Sequence, residues 1–197
     1  IVAGDCTGHG VSAALLSVLA LNLFEYVIMN KGIKKTDKIL REVDKKFIEN
    51  FSDNNMITYD NPWIDLSLVC IDAEKKKIYF SSANRKILIV KSTREFHIYK
   101  GSNYPIGGWQ IETNRKFESQ SIPYEKNDVI YIGSDGFQDQ FGGSKNKKYK
   151  SERLHEFLVK NSQLPLKQQK VLLEKEFDYW KNGNPQTDDV CLVSIKL

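Results

Sequence analysis

The chain runs through two hydrophobic rhythms. Val11 to Ile28 is almost continuously apolar, broken by Ser12, Ser17, Asn22 and Glu25. That run predicts one helix through Asn30, buried in a core rather than spanning a membrane. Gly32 is placed to end it. In Lys35–Asn50 and just beyond, Ile39, Leu40, Val43, Phe47, Ile48 and Phe51 recur at threes and fours, so a second helix has one buried face. Thr36 or Asp37 would cap its start. The rhythm then shortens. Ile64–Asp72, Lys77–Ser82, Ile87–Lys91 and Glu95–Tyr99 are rich in β-branched and aromatic residues. Turn-like Asp72-Ala73-Glu74, Asn84-Arg85 and Ser92-Thr93-Arg94 divide them into an antiparallel meander. Phe117–Ile122 and Asp128–Gly133 read as strands, Ser151–Lys160 and Leu166–Trp180 as helices, and Val190–Leu197 as a closing strand. Ser52–Pro62 and Gly101–Gly108 read as loops. Helices arriving in pairs around short strands predict an α+β layered fold.

Composition narrows the class without naming a function. At 197 residues, with 41% hydrophobic and 27% charged residues, the chain fits one globular domain. A net charge of +4 is too mild and too dispersed to indicate nucleic acid. The basic stretch Lys145–Lys150 reads as a solvated loop. Cysteines 6, 70 and 191 form no CxxC pair, which argues against structural zinc. Cys70 and Cys191 lie in apolar runs and read as core residues. The odd cysteine count and the lack of a signal peptide point to a reducing, cytoplasmic setting. Trp63, Trp109 and the Gly101–Gly108 loop read as core or lid packing rather than a substrate surface.

The chemistry concentrates at strand ends. Gly4-Asp5-Cys6-Thr7-Gly8-His9-Gly10 joins the strand Ile1-Val2-Ala3 to the first helix. Asp135 follows Val129–Ser134, and Asp188 and Asp189 precede Val190–Val193. Each could belong to an ordinary turn. If the strand ends converge, the carboxylates need a cation, and an all-oxygen donor set selects Mg²⁺ or Mn²⁺. Cys6 could suggest a cysteine phosphatase, but no arginine follows within its turn to bind phosphate. His9 is the general-acid candidate, since imidazole titrates near neutrality.

These motifs resemble a known family. Gly4–Ser17 is similar to the metal-binding turn of the SpoIIE/RsbU-type serine/threonine phosphatases of the PPM (PP2C-like) fold. Ser134-Asp135-Gly136-Phe137 running into Asp139-Gln140-Phe141-Gly142-Gly143, and then Thr187-Asp188-Asp189-Val190, resemble two further motifs in the same order. The resemblance implies a four-layer α-β-β-α sandwich of two mainly antiparallel sheets flanked by helix pairs. It implies two Mn²⁺ or Mg²⁺ ions bridged by Asp5 and held also by the Cys6 backbone carbonyl, Asp135 and Asp188, with Asp189 a neighbour. The nucleophile would be a metal-bridged water, with no covalent intermediate. His9 lies farther from Asp5 than the histidine of the eukaryotic PP2C turn does, which favours a role in shaping the turn.

The resemblance also implies a bacterial signalling role in sigma-factor regulation. The substrate would be a phosphoprotein such as an anti-anti-sigma STAS-domain protein. An upstream sensor domain, through which the parent could be membrane-attached, is part of the same expectation. A GGD-x-Y-type acidic motif precedes this turn in the family. The chain starts after that point, so the expectation is a domain missing its N-terminal strand, binding one metal or none, with weak activity. The competing reading is a non-catalytic PPM-like binding module.

Overall fold

The computed structural model describes residues 1–8, 10–51, 61–109 and 115–197. His9 therefore lies outside the described residues, as does most of the expected Ser52–Pro62 loop. In chain order the elements begin with β1 (Val2–Cys6), α1 (Gly10–Glu25), α2 (Thr36–Phe51), β2 (Trp63–Asp72), β3 (Lys77–Ala83), β4 (Lys86–Val90), β5 (Phe96–Lys100), β6 (Ile106–Gly107) and β7 (Gln120–Pro123). Then come β8 (Val129–Gly133), the short α3 (Gly136–Asp139), the paired β9 (Phe141–Gly142) and β10 (Lys147–Lys148), α4 (Ser151–Asn161), α5 (Leu166–Lys181) and β11 (Leu192–Lys196). The chain forms two compact units, Ile1–Lys86 with Lys100–Pro123, and Ile87–Tyr99 with Tyr124–Leu197.

The first unit holds a sheet in the order β1-β2-β3-β7, with β6 added to β2. Its pairings are antiparallel. One face carries Ile64, Leu66 and Leu68, which join Leu23, Phe24 and Val27 of the first helix and Ile39, Leu40, Val43 and Phe47 of α2 in one buried cluster. The spacing of the α2 residues delivers the predicted single buried face. Thr36 does not cap the helix from solvent. It is fully buried, and its hydroxyl lies 2.7 Å from Ser119 Oγ and accepts from Ser81 Oγ at 2.8 Å. Asp44 of α2 is buried too, and accepts from Arg115 Nη2 at 2.9 Å and from the Gly107 amide at 2.8 Å. Gly107 takes a φ of +72°, and a Cβ there would stand 2.6 Å from the Phe47 ring. This segment is thus pinned to α2 and, through β6, to the start of β2.

The second unit holds a sheet in the order β11-β8-β4-β5. Leu88 and Val90 of β4 and Val129 and Tyr131 of β8 pack with Leu154 and Leu158 of α4 and Leu173 of α5. Each unit therefore covers a sheet face with a helix pair, as the element order predicts. Asp128, fully buried, closes the turns before β8 and after β4. It pairs with Lys91 at 2.8 Å and accepts from the amides of Ser92 and Glu125.

Several expectations are corrected. The four central strands are not one meander, because β3 and β4 belong to different sheets. Asn84, at φ +55°, turns the chain between them. Local turn chemistry looks the same whether a turn closes a hairpin or changes sheets. The first helix is regular to Glu25 and widens into a π-type turn over Tyr26–Asn30. It is not buried as a core helix would be: Val11, Leu15 and Leu21 are 78%, 66% and 71% exposed. Gly10–Asn30, with a mean hydropathy of 1.9, is long and apolar enough to cross a membrane by length and composition. Cys70 and Cys191 are exposed rather than core residues. Cys70 is on β2 beyond its buried centre, and Cys191 precedes β11. Trp63 and Trp109 are exposed as well. The predicted strand Phe117–Ile122 begins only at Gln120.

Asp44→Ala should cost about 3–5 kcal/mol, because it strands the Arg115 charge among buried groups. Urea unfolding would show this as a lower midpoint; an unchanged midpoint would contradict a stabilising role for the Asp44–Arg115 pair.

Candidate functional site

In the first unit the site begins with strand register. Asp5 on β1 stands directly opposite Asp65 on β2. The amide of Thr7 donates to the Trp63 carbonyl at 3.0 Å, and Ile1 and Val69 exchange backbone bonds at 2.8 and 2.9 Å. Odd-numbered residues of β1 therefore bond to β2. Cys6 falls between bonded pairs, so its carbonyl points away from β2, off the end of the strand order.

Strand alternation then separates two groups adjacent in sequence. The Cys6 thiol lies on the helix-covered face, 3.5 Å from Ser17 Oγ. The Asp5 carboxylate lies on the opposite face with Asp65. Burial pushes the Cys6 thiol above its ordinary value, opposed by the Ser17 bond and reinforced by the nearby Asp5 charge. A thiol held protonated on the far face from the carboxylates is a poor nucleophile.

Two carboxylates facing each other across a ladder repel. Their neighbours come from the turn between β3 and β4. Arg85 Nη2 reaches Asp5 Oδ2 at 2.7 Å and lies 3.9 Å from Asp65 Oδ2. Asn84 Nδ2 donates to Asp65 Oδ2 at 3.0 Å. Ser82 Oγ donates to the Arg85 carbonyl at 2.6 Å and fixes the turn. The motif reading misses Asp65, Asn84 and Arg85. The available signal was Asp65 itself, an acidic residue set between the buried Ile64 and Leu66. Beside the Thr7–Gly8 turn lies a groove of about 710 Å³ lined by Leu15, Leu19, Trp63 and Trp109.

In the second unit the structure brings the other two motifs together. Ser134 Oγ donates to the Asp189 carbonyl at 2.8 Å and accepts from the Cys191 amide at 2.9 Å. Gly136 packs so closely on this segment that a Cβ would stand 2.3 Å from the Asp189 carbonyl oxygen and 3.3 Å from that of Asp188. Asp135 precedes α3 and makes no side-chain capping bond to it. Asp188 is exposed, and its Oδ1 accepts from the Asp189 amide at 2.7 Å.

Gln140, fully buried, holds the approach to this segment. It accepts from the Thr187 amide and hydroxyl at 3.1 and 3.2 Å and donates to the Pro185 carbonyl at 3.0 Å. Asp139 pairs with Lys148 at the surface, an interaction of small energetic weight.

Among the described residues of either unit taken by itself, no three His, Cys, Asp or Glu side chains form a ready-made metal cage. The donors nevertheless suit a hard divalent ion. They are carboxylates and an outward carbonyl, with two like charges held face to face.

Comparison with known proteins agrees with the geometry. The family model for Stage II sporulation protein E (SpoIIE) matches residues 1–197. Phosphoserine phosphatase RsbP of Bacillus subtilis (strain 168) is 22% identical over 198 residues, a match covering 100% of this chain and 45% of RsbP. The chain thus spans about half the length of that relative. The SiaA-PP2C domain of Pseudomonas aeruginosa superposes with a TM-score of 0.86 at 25% identity, covering 98% of this chain and 74% of that one. RsbX, solved in complex with magnesium, shares the fold with a TM-score of 0.63 at 15% identity, covering 98% of this chain and 78% of RsbX. Motifs, paired helices over antiparallel sheets and a full-length family match converge: this chain belongs to the SpoIIE family and has the α+β fold of PP2C-type phosphatases.

Proposed function

We propose that the protein hydrolyses phosphoserine or phosphothreonine esters on a partner protein, using divalent metal ions. Asp5, the Cys6 carbonyl, Asp135 and Asp188 are the residues proposed as ligands of Mn²⁺ or Mg²⁺. When bound, such ions supply Lewis acidity toward the phosphoryl oxygens and an activated water. The chain's own residues supply position. Ladder pairing fixes Asp5, the Gly136 contact and the Ser134 bonds fix the Asp135 and Asp188–Asp189 segments together, and Gln140 fixes the approach to Asp188.

The observation that carries this reading is that glycine-mediated contact of Gly136 with the Asp188–Asp189 backbone. It supports two acidic motifs, far apart in sequence, acting as one unit of chemistry. Cys6 takes no covalent part, and His9 stays a candidate acid by position in its motif alone. The name of the relative RsbP, a phosphoserine phosphatase, supports a phosphoserine substrate; a sigma-factor partner-switching system is the setting proposed for it. A STAS-domain protein is the substrate class proposed, under an upstream sensor in the parent chain.

Release of phosphate from a phosphoserine peptide by the parent protein, extended upstream of Ile1 and measured with and without Mn²⁺, tests the reading. Asp135→Asn should lower the Mn²⁺-dependent rate at least about 100-fold, more than loss of a supporting residue does. A wild type no faster than this variant would replace the enzyme with the non-catalytic binding module. Gly136→Ala should weaken Mn²⁺ binding about 10–100-fold by forcing the Asp188–Asp189 segment outward; isothermal titration would read it. Cys6→Ala should keep its activity, because only a backbone oxygen is asked of that position. Loss of turnover in a folded Cys6→Ala protein would revive a thiol mechanism.

A further inference from the structure

We infer that Arg85 is an internal cation that competes with the divalent metal for Asp5. The inference rests on the metal-dependent reading above and adds a residue outside every motif that led to it.

The argument starts from charge. Asp5 and Asp65 face one another in the β1–β2 ladder, both largely shielded from solvent. Like charges at such positions destabilise the pairing unless a cation sits between them. In this structure that cation is the Arg85 guanidinium, whose side chain is 12% exposed. It lies 2.7 Å from Asp5 and 3.9 Å from Asp65. Its placement is built rather than incidental. The Ser82 bond to its carbonyl, the Asn84 bond to Asp65 and the Leu66–Asn84 bridge hold the turn against β2.

A guanidinium always carries its charge, so no pH in the working range removes it. Its presence neutralises the carboxylate that a divalent ion needs and repels the ion directly. Metal entry at Asp5 therefore requires Arg85 to withdraw, and Asp65, its second carboxylate, is beside it to receive it. Arg85 keeps the acidic pair neutralised, at the expense of metal affinity.

The sign of the effect separates this role from a structural one. A residue that merely supports the fold weakens metal binding when it is lost. Arg85→Met should instead tighten Mn²⁺ binding about tenfold, the weight of one charge-assisted hydrogen bond, while lowering the melting temperature of the metal-free protein. Isothermal titration with MnCl₂ on wild type, Arg85→Met and Asp5→Asn reads the first effect, and thermal melting in EDTA reads the second. If Arg85→Met does not fold, the same comparison is made between Asp65→Asn and Asp65→Asn/Arg85→Met. There the acidic pair is already relieved, and the double variant should bind Mn²⁺ more tightly than the single. Equal or weaker binding without Arg85 overturns the inference while leaving the phosphatase reading standing. Wild type indistinguishable from Asp5→Asn in Mn²⁺ binding overturns the metal reading, and this inference with it.

Discussion

The opposition of Asp5 and Asp65 across one ladder is the constraint from which the first unit's site follows. Register there is not free. Ile64, Leu66 and Leu68 must face the helices, where they join the buried cluster. A slip of one residue would turn that whole set to the other face. With the apolar face fixed, the acidic residues are fixed to the opposite one, and their repulsion calls for a cation. The same alternation sends the Cys6 thiol toward Ser17 and leaves its carbonyl directed off β1. Apolar burial thereby decides which atom of each residue is offered to the site.

Much of this was legible in the sequence, because the motifs are local. A strand-to-helix turn crowded with Asp5, Cys6 and Thr7, and acidic residues beside apolar strands at 135 and 188, are one-dimensional patterns. Arg85 is not. Its bond to Asp5 spans 80 residues, and Asn84-Arg85 in isolation looks like any polar turn. The sheet change after β3 was hidden for the same reason. A turn reports that the chain reverses, but which sheet it enters depends on residues such as Val129 and Ile130, which pair with Val90 and Ile89 far along the chain.

The first helix marks a different limit. Periodicity assigns a buried face only when polar residues mark the other side, as they do on α2. Between Val11 and Ile28 nearly every side is apolar. The run predicts a helix correctly and its burial wrongly: among the helix's described residues, Leu23, Phe24 and Val27 are buried, while Val11, Leu15, Val18 and Leu21 are exposed. Cys70 and Cys191 fail for a related reason, since an apolar neighbourhood in sequence does not say where a strand leaves the core.

The motif around Asp135 shows how chemistry and packing share a short segment. Of its residues, Asp135 carries the proposed ligand, while Gly136, Gln140, Gly142 and Gly143 carry geometry. A Cβ on Gly142 would stand 1.9 Å from the Trp180 carbonyl oxygen. That same oxygen accepts from the Gly143 amide at 2.8 Å, and the Trp180 indole donates back to the Gln140 carbonyl at 3.0 Å. The end of α5 is thus docked on the segment that follows Asp135. Since α5 leads directly into residues 182–187, docking its end fixes where the chain sets out toward Asp188, and the Gln140 side chain fixes where it arrives. An acidic residue on an exposed loop is held in position by buried amide and glycine contacts, so its placement depends on residues that need never touch a substrate.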